Sequence, residues 1–459
     1  MVDWGDEEET AFGVDLVKMN RTTFENILWG IDFNLADIIL YSIIGQLPNL
    51  KKCSFFIGDR EYDMRVHASI FMQSGAGKGG MFNYASLLCE QVKLNFLSMG
   101  QVTDASLIGK MDVHDEYNAD TGRPERVKEV VYGKLYDGNN INIMGMNETD
   151  ILFNSPNTSY SQNLMTWYQK AMNPYKTEDN VISKDVADGR IEYNSDKSFI
   201  FISKVPDRFY EVLTSMGFIQ RTLCLNIPLT WEQKKMINKI MMEKFGKRSS
   251  KYYDDVGVIG KSLREINKAF KDNVEFTICD AANEVLVEQG FKKIHDPLDN
   301  MSFNVRNILQ QFTSRYQEMI IRISHLNAIM RKDNVISVGD VAHAINFVMP
   351  FWLNIIYFIE EGLEKDKREE KKLRERIIVV NKWYKGIVAK TKNEWVSYNL
   401  LVKILVSKKY GFNVSRTTAQ YIVNQLVEEG IYEMRIDGLK QEIRKIEKNP
   451  KHLNKPNVN

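Results

Sequence analysis

Apolar and polar positions alternate along the chain in stretches of helical spacing and stretches of extended spacing, and these lay out its elements. Residues 1–45 open with acids and then place Phe24, Ile27, Leu28, Ile31, Leu35 and Ile38 to Leu40 at helical intervals, predicting a small N-terminal helical segment. The stretch 55–73, FFIGDREYDMRVHASIFMQ, reads as strand, and Met81 to Phe96 as a helix with Leu87, Leu88, Cys89 and Val92 inward. Ile141, Ile143, Met144 and Met146 predict another strand, and Phe199 to Ile202 a third. Within 182–206, two extended arms flank Asp188-Gly189, a hairpin signal. Residues 230–275 are charged and helical. Residues 348–359, VMPFWLNIIYFI, read as a buried helix, and 365–376 as a solvated charged one. Near the end, Leu400, Leu401, Ile404 and Leu405 mark one helix. Ser415 caps a second, RTTAQYIVNQLVEEG, with Ala419, Ile422, Val423 and Leu426 inward and Gly430 closing it. Asp437-Gly438 between IYEMRI and LKQEIRKI completes a hairpin.

Composition adds little to this outline, but charge distribution does. The 459 residues are 44% apolar and 26% charged, an ordinary globular balance with room for two to four domains. No run of about 18 uncharged apolar residues occurs, so no membrane partner is expected. The opening MVDWGDEEETAF lacks a basic-then-apolar layout, so no secretory leader is expected. Cys53, Cys89, Cys224 and Cys279 lie far apart among apolar neighbours, which argues against a zinc site and for a reducing cytoplasmic setting, a host cytoplasm if the source is viral. Net charge is +1, yet Lys365 to Asn459 holds 22 Lys and Arg against 11 Asp and Glu, leaving 39 against 49 for the rest. A basic C-terminal module on an acidic body points to a polyanionic partner.

The densest chemistry lies in 67–88, HASIFMQSGAGKGGMFNYASLL. Ser74, Gly75, Ala76 and Gly77 are small enough for successive backbone N–H groups to converge on one anion. Lys78 adds a point charge, and a helix starting near Gly79 and Gly80 adds its positive end. Against G-x-x-x-x-G-K-[ST], Met72 occupies the first glycine position and Gly79 replaces the hydroxyl that ligates magnesium. Downstream, the apolar strand through Met146 delivers Asn147 and Glu148 to a strand end, where an α/β sheet places its chemistry. A carboxylate there can polarise a water for attack on a γ-phosphate, or hold Mg2+ through water.

The segment 102–153 resembles minichromosome maintenance (MCM) helicases. The matching pieces are Ser106-Leu107-Ile108-Gly109, Asp120-Thr121-Gly122 as the turn of an inserted hairpin, Gly133-Lys134-Leu135, Asp137-Gly138, and Asn147-Glu148-Thr149-Asp150. FTSRYQEMIIRISHLNAIMRKDNVISVGDVAHAINFV is similar to the MCM helical lid, GFIQRTLCL (217–225) to its S-R-F-D segment, and 182–206 to its channel hairpin followed by the sensor 1 strand. The resemblance implies an α/β fold: an AAA+ P-loop NTPase core over 46–230, a connector or insert over 231–275, and a helical lid over 276–360. A linker helix over 361–390 and a winged-helix domain over 391–459 follow. ATP and Mg2+ are the implied cofactors, with Mg2+ held by Asn147 and Glu148 through water. Glu148 would be the catalytic carboxylate, Arg221 the arginine finger, Arg315 sensor 2 flanked by Glu318 and Arg322, and Ser203 a substitute at sensor 1. Lys184 and Arg190 would touch single-stranded DNA in a channel. Arg416, Thr417, Gln420 and Asn424 on the second C-terminal helix would contact duplex, although winged helices also bind proteins.

Asn147 departs from the family's Asp. Residues 1–45 cannot hold the OB-fold and zinc ribbon of cellular MCM proteins, which implies a compact relative of the kind expected on a virus or mobile element. The expected function is a ring-forming, ATP-dependent DNA helicase of replication, a homo-oligomer expected to be a hexamer. An AAA+ initiator or loader using ATP as an assembly switch is the alternative. A sigma-factor-dependent activator fits less well, because no G-A-F-T-G-A loop is present.

Overall fold

The computed structural model describes residues 11–28, 32–73, 77–100, 103–118, 123–147, 159–175, 177–186, 189–204, 217–243, 250–271, 274–406, 415–428, 431–437 and 440–446. They form two compact units, 1–362 and 363–459.

The first unit is α/β, built on a parallel five-stranded sheet and compatible with a P-loop-like core. In chain order its strands are β1 (Ala68–Met72), β2 (Phe96–Met99), β3 (Ile143–Asn147), β4 (Ser198–Ser203) and β5 (Leu223–Ile227). Their spatial order is β5-β1-β4-β3-β2. Every residue of β1 and β4 is buried, as strands covered on both faces require. β4 lies between β1 and β3, with Ser203 opposite Phe71 and Ile202 opposite Asn147. The C-terminal ends of three strands are therefore neighbours.

Helix α1 (Ala11–Leu28) leads to α2 (Asn34–Ile44), which is buried from Leu35 onward. Past its end, the Gln46 side-chain amide donates to the Asp196 carbonyl (2.8 Å) and the Ser198 hydroxyl (3.1 Å). Tyr41 donates to Asn327 Oδ1 (2.7 Å) in the long helix α4 (Phe303–Met330). Thus α2 and the residues just after it tie the sheet to α4. Helix α3 (Lys78–Gln91) follows β1, and its Tyr84 donates to Asn20 Oδ1 of α1 (2.6 Å).

The structure departs from the sequence expectations in three places. The stretch 55–73 is not one strand: Gly58 and Asp59 turn Ser54–Ile57 back on Arg60–Asp63, and β1 begins only at Ala68. The helix expected to reach Phe96 ends at Gln91, because Lys93 turns with φ 59° and frees Phe96 to start β2. The apolar and charged segments between 338 and 391 are one helix, α5 (Val338–Thr391), which passes through Pro350 while Asn354 donates to the Pro350 carbonyl (2.8 Å). Its Val338–Glu364 portion is long and apolar enough to cross a membrane by length and composition. Phe351, Trp352, Ile355 and Ile359 are nevertheless buried in this unit, so the portion serves as a core helix.

The second unit contains the last turns of α5, then α6 (Tyr398–Val406) and α7 (Arg416–Glu428), packed on an antiparallel sheet. Its strands are Val396–Ser397, Tyr432–Asp437 and Lys440–Lys445, the last in the middle. Val380, Tyr384, Leu401, Val423 and Ile443 belong to one core. Ser415 caps α7, its Oγ accepting from the Thr418 N–H (3.1 Å).

Candidate functional site

The C-terminal edge of the sheet carries the described phosphate-site candidates Gly77 to Gly80, Asn147 and Ser203. Gly77 adopts φ 86°, a left-handed conformation natural to glycine, and its carbonyl accepts the first helical N–H, from Met81 (3.1 Å). Lys78, Gly79 and Gly80 then form the first turn of α3, so their N–H groups belong to the unsatisfied set at a helix start. Ser74, Gly75 and Ala76 lie outside the described residues, as does Glu148. Asn147 closes β3 at the same edge, and Ser203, buried, closes β4 between β3 and β1. Among the described residues the Asn147 side-chain oxygen is buried without a hydrogen-bond partner. Such an orphan is uncommon and suits the water shell of a cation. The residues present therefore fit a Mg-nucleotide in part: Lys78 and Asn147 have the right chemistry, while Gly79 offers no hydroxyl.

Arg221 and Arg315 are not at this edge. Arg221 ends a short 3-10 turn just before β5, whose Leu223 lies opposite Ala68 at the start of β1. The length of β1 alone separates it from the phosphate edge by ~13 Å. Arg221 donates to Asn173 Oδ1 (2.8 Å) and to the Gly217 carbonyl (2.5 Å). Burial, with the Arg315 charge adding to it, lowers its pKa to about 10, so it stays a cation. Arg315 donates to Glu318 Oε2 (3.0 Å), while Glu318 Oε1 accepts from Arg322 (2.8 Å). Arg322 also donates to the Asp63 carbonyl (3.0 Å).

Sequence reasoning missed the centre of this network. Arg65 is only 2% exposed and donates to the Asp63 carboxylate (2.7 and 3.0 Å) and to carbonyls of Ala171, Asn173, Ser195 and Lys197. Burial favours the neutral Asp63, but the Arg65 charge and hydrogen bonds outweigh it and hold the carboxyl down at about 2. Four of these acceptors are backbone, so no side-chain pattern announces them. His67, next in this run, is buried and kept neutral by burial and the nearby Arg65 and Arg322 charges. Its Nδ1 accepts the Phe199 N–H (3.2 Å).

Two hairpins project from the sheet. The long one pairs Gly109–Asn118 with Arg123–Tyr132; the residues of its expected turn, 120–122, lie outside the described residues. Gly133 at its base has no room for a side chain, since a Cβ would meet the Leu107 carbonyl at 2.3 Å. The short one pairs Ile182–Val186 with Gly189–Tyr193, and Tyr193 donates to the Ile108 carbonyl (2.8 Å) at the base of the long one. Its cations are engaged locally: Lys184 pairs with Asp104 (2.9 Å), and Arg190 with Glu192 (2.9 Å) and Ser183 (2.7 Å).

In the second unit, α7 exposes Arg416, Thr417 and Asn424, and partly Gln420. Asn424 Oδ1 accepts from Tyr398 (3.0 Å), which leaves its amide donors for another group. On the adjoining hairpin, Arg435 and Arg444 both stack on Trp395, at 4.1 and 4.9 Å from the ring centre, an arrangement not foreseen from sequence.

A comparison with known protein families finds no match, and a comparison with curated proteins finds none.

Proposed function

We propose that the chain is an AAA+ P-loop ATPase similar to MCM helicases, acting as a homo-oligomeric ring, a hexamer, that moves along DNA in replication. The observation carrying this reading is the separation of its cations: Lys78 at one edge of the sheet, Arg221 and Arg315 at the other. A γ-phosphate beside Lys78 lies beyond reach of its own chain's Arg221, so the site requires a neighbouring copy.

In this reading the first-turn N–H groups of α3 and the Lys78 ammonium hold the phosphates of ATP. Glu148 would orient the attacking water, Ser203 would serve as the sensor from the end of β4, between β1 and β3, and Arg221 and Arg315 of the next copy would stabilise charge on the transferring group. Mg2+, held through water by Asn147 and Glu148, would supply charge neutralisation on the phosphates. Lys184 and Arg190 on the short hairpin would contact a single strand once their local pairs open. The second unit's order of helix, strand, two helices and hairpin supports a winged helix. Arg416, Thr417, Gln420 and Asn424 would meet duplex. A cytoplasmic setting accords with the four unpaired cysteines.

Mixing tests the shared site. Lys78→Ala and Arg221→Ala chains should each be inactive alone, and mixing them should restore ATP hydrolysis, because some interfaces then join an intact cradle to an intact finger. Folded variants that regain nothing on mixing would overturn the reading.

Gly79 and the inward hydrogen bonds of Arg221 favour one second reading, an initiator or loader in which ATP binding drives assembly and turnover is slow. Assembly on ATP without forked-DNA unwinding would select it.

A further inference from the structure

At the base of the long hairpin lies a cavity of about 650 Å³, which falls in the range of small-ligand sites. Phe96, Leu97, Val131, Tyr132 and Ile141 give it apolar and aromatic surface. Lys110 and Lys134 also line it, and among the described residues no carboxylate does. Among the described residues Lys134 has no ion-pair partner, and Lys110 is 3.7 Å from its nearest, Asp112. Asp104, on the adjoining helical turn, is already neutralised by Lys184. The wall is braced: Asn95 donates to the Asn140 carbonyl (2.6 Å) and Asn139 to the Gly133 carbonyl (2.6 Å).

This is a second place, apart from the phosphate edge. Asn95 and Asn142, hydrogen-bonded to each other (3.0 Å), precede β2 and β3, whereas Asn147 ends β3 about 13 Å further on at an extended-strand rise. The chemistry selects a ligand that is flat and apolar at one end and anionic at the other. A nucleotide meets both requirements, the base stacking on aromatic surface and the phosphate pairing with ammonium groups. Position favours a strand over a free nucleotide, because Lys110, Val131 and Tyr132 belong to the projecting hairpin and the short hairpin packs against its base through Tyr193.

We propose that this cavity holds one nucleotide of a single DNA strand, the base against Phe96 and Tyr132 and the phosphate between Lys110 and Lys134. The proposal rests on the translocase reading and adds to it a gripping site distinct from the hairpin cations Lys184 and Arg190.

The test uses the full chain, a labelled oligothymidylate, and ATP turnover without DNA as a control. Lys134→Glu should weaken strand binding ~10-fold or more, a loss of the size expected for one stacked, charge-paired nucleotide. Ala105→Trp, which fills the cavity from an exposed position without removing charge, should do the same. Both should leave the DNA-free turnover unchanged. An abasic oligonucleotide should bind the wild type more weakly, and free thymidine monophosphate should compete only at far higher concentration. Strand binding unchanged in both variants would overturn this site while leaving the translocase reading standing. Equal binding of abasic and normal strands would overturn the base contact, and tight competition by the monophosphate would replace the strand with a free nucleotide. A wild-type chain that turns over ATP but ignores DNA would overturn the translocase reading and this site together.

Discussion

At the scale of single residues, Gly79 is the departure most open to experiment. A Cβ placed there meets nothing within 4 Å, and the position is an ordinary helical one. Gly79→Thr should therefore fold, and it supplies the hydroxyl that the cradle lacks. If the site holds Mg-ATP, the variant should reach half-maximal turnover at a several-fold lower Mg2+ concentration; a Mg2+ titration with no shift would place the metal elsewhere. His325 makes a different prediction. It stacks on Phe55 (4.5 Å), and its Nδ1–H donates to the Ile321 carbonyl (2.8 Å). Burial lowers its pKa to about 4 from an ordinary 6.5. Between those values the unfolded chain takes up a proton that the folded chain refuses, so this contribution is intact above about pH 6.5 and lost as pH falls toward 4, up to ~3 kcal/mol. Denaturant midpoints should drop across that range, and His325→Gln should flatten the drop. A slope unchanged in the variant would assign it to other groups, the buried His67 first. The positions of Lys78 at a helix start and Asn147 at a strand end were legible because both depend on local sequence. Arg65 was not, because beyond Asp63 its partners are carbonyls from segments more than 100 residues away.

At the scale of elements, strands carried by unbroken apolar runs were legible: β3 and β4 were foreseen close to their observed limits, and Asp188-Gly189 marked its hairpin. β2 was not, since Phe96–Met99 is short and only partly buried and follows a helix whose apolar spacing runs into it. Helix α4 shows what an element adds to its residues. Glu318 sits one turn from both Arg315 and Arg322 and binds each with a different oxygen, so helical spacing alone assembles the trio. All three are largely buried, and removing the carboxylate would leave Arg322 without its ion-pair partner. Glu318→Ala should cost about 3 kcal/mol or more in a denaturant titration, whereas Glu318→Gln, which keeps an acceptor, should cost less. If Arg315 serves a neighbour's phosphate, Glu318→Gln should also reduce turnover more than it reduces stability. Equal loss of both would confine Glu318 to a structural role.

At the scale of the whole molecule, the division of labour depends on where the chain can be cut. The expected boundaries put a linker helix at 361–390 and the C-terminal domain at 391–459, but the core of the second unit begins earlier. Val380 and Tyr384 of α5 are buried in it; Tyr384 donates to the Glu394 carbonyl (2.7 Å), Tyr432 donates to Asn381 (2.7 Å), and Arg376 to Gln425 (2.6 Å). The last turns of α5 are thus the first helix of the second unit. A cut after 390 would strip that helix of its partners and expose its apolar face. A cut after 364 leaves the first unit's buried Ile359 and Phe358 in place and removes the second core entire. Chains ending at 364 should stay monodisperse and keep basal ATP turnover within about two-fold, since every phosphate-site candidate precedes the cut, while those ending at 390 should aggregate. The complementary fragment, 375–459, should unfold cooperatively and bind duplex with an affinity that falls steeply with salt, as phosphate contacts require. Turnover that collapses in the shorter chain, with duplex binding retained by it, would reverse the two assignments. The helical continuity of α5 would then be carrying function across the boundary instead of joining two independent cores.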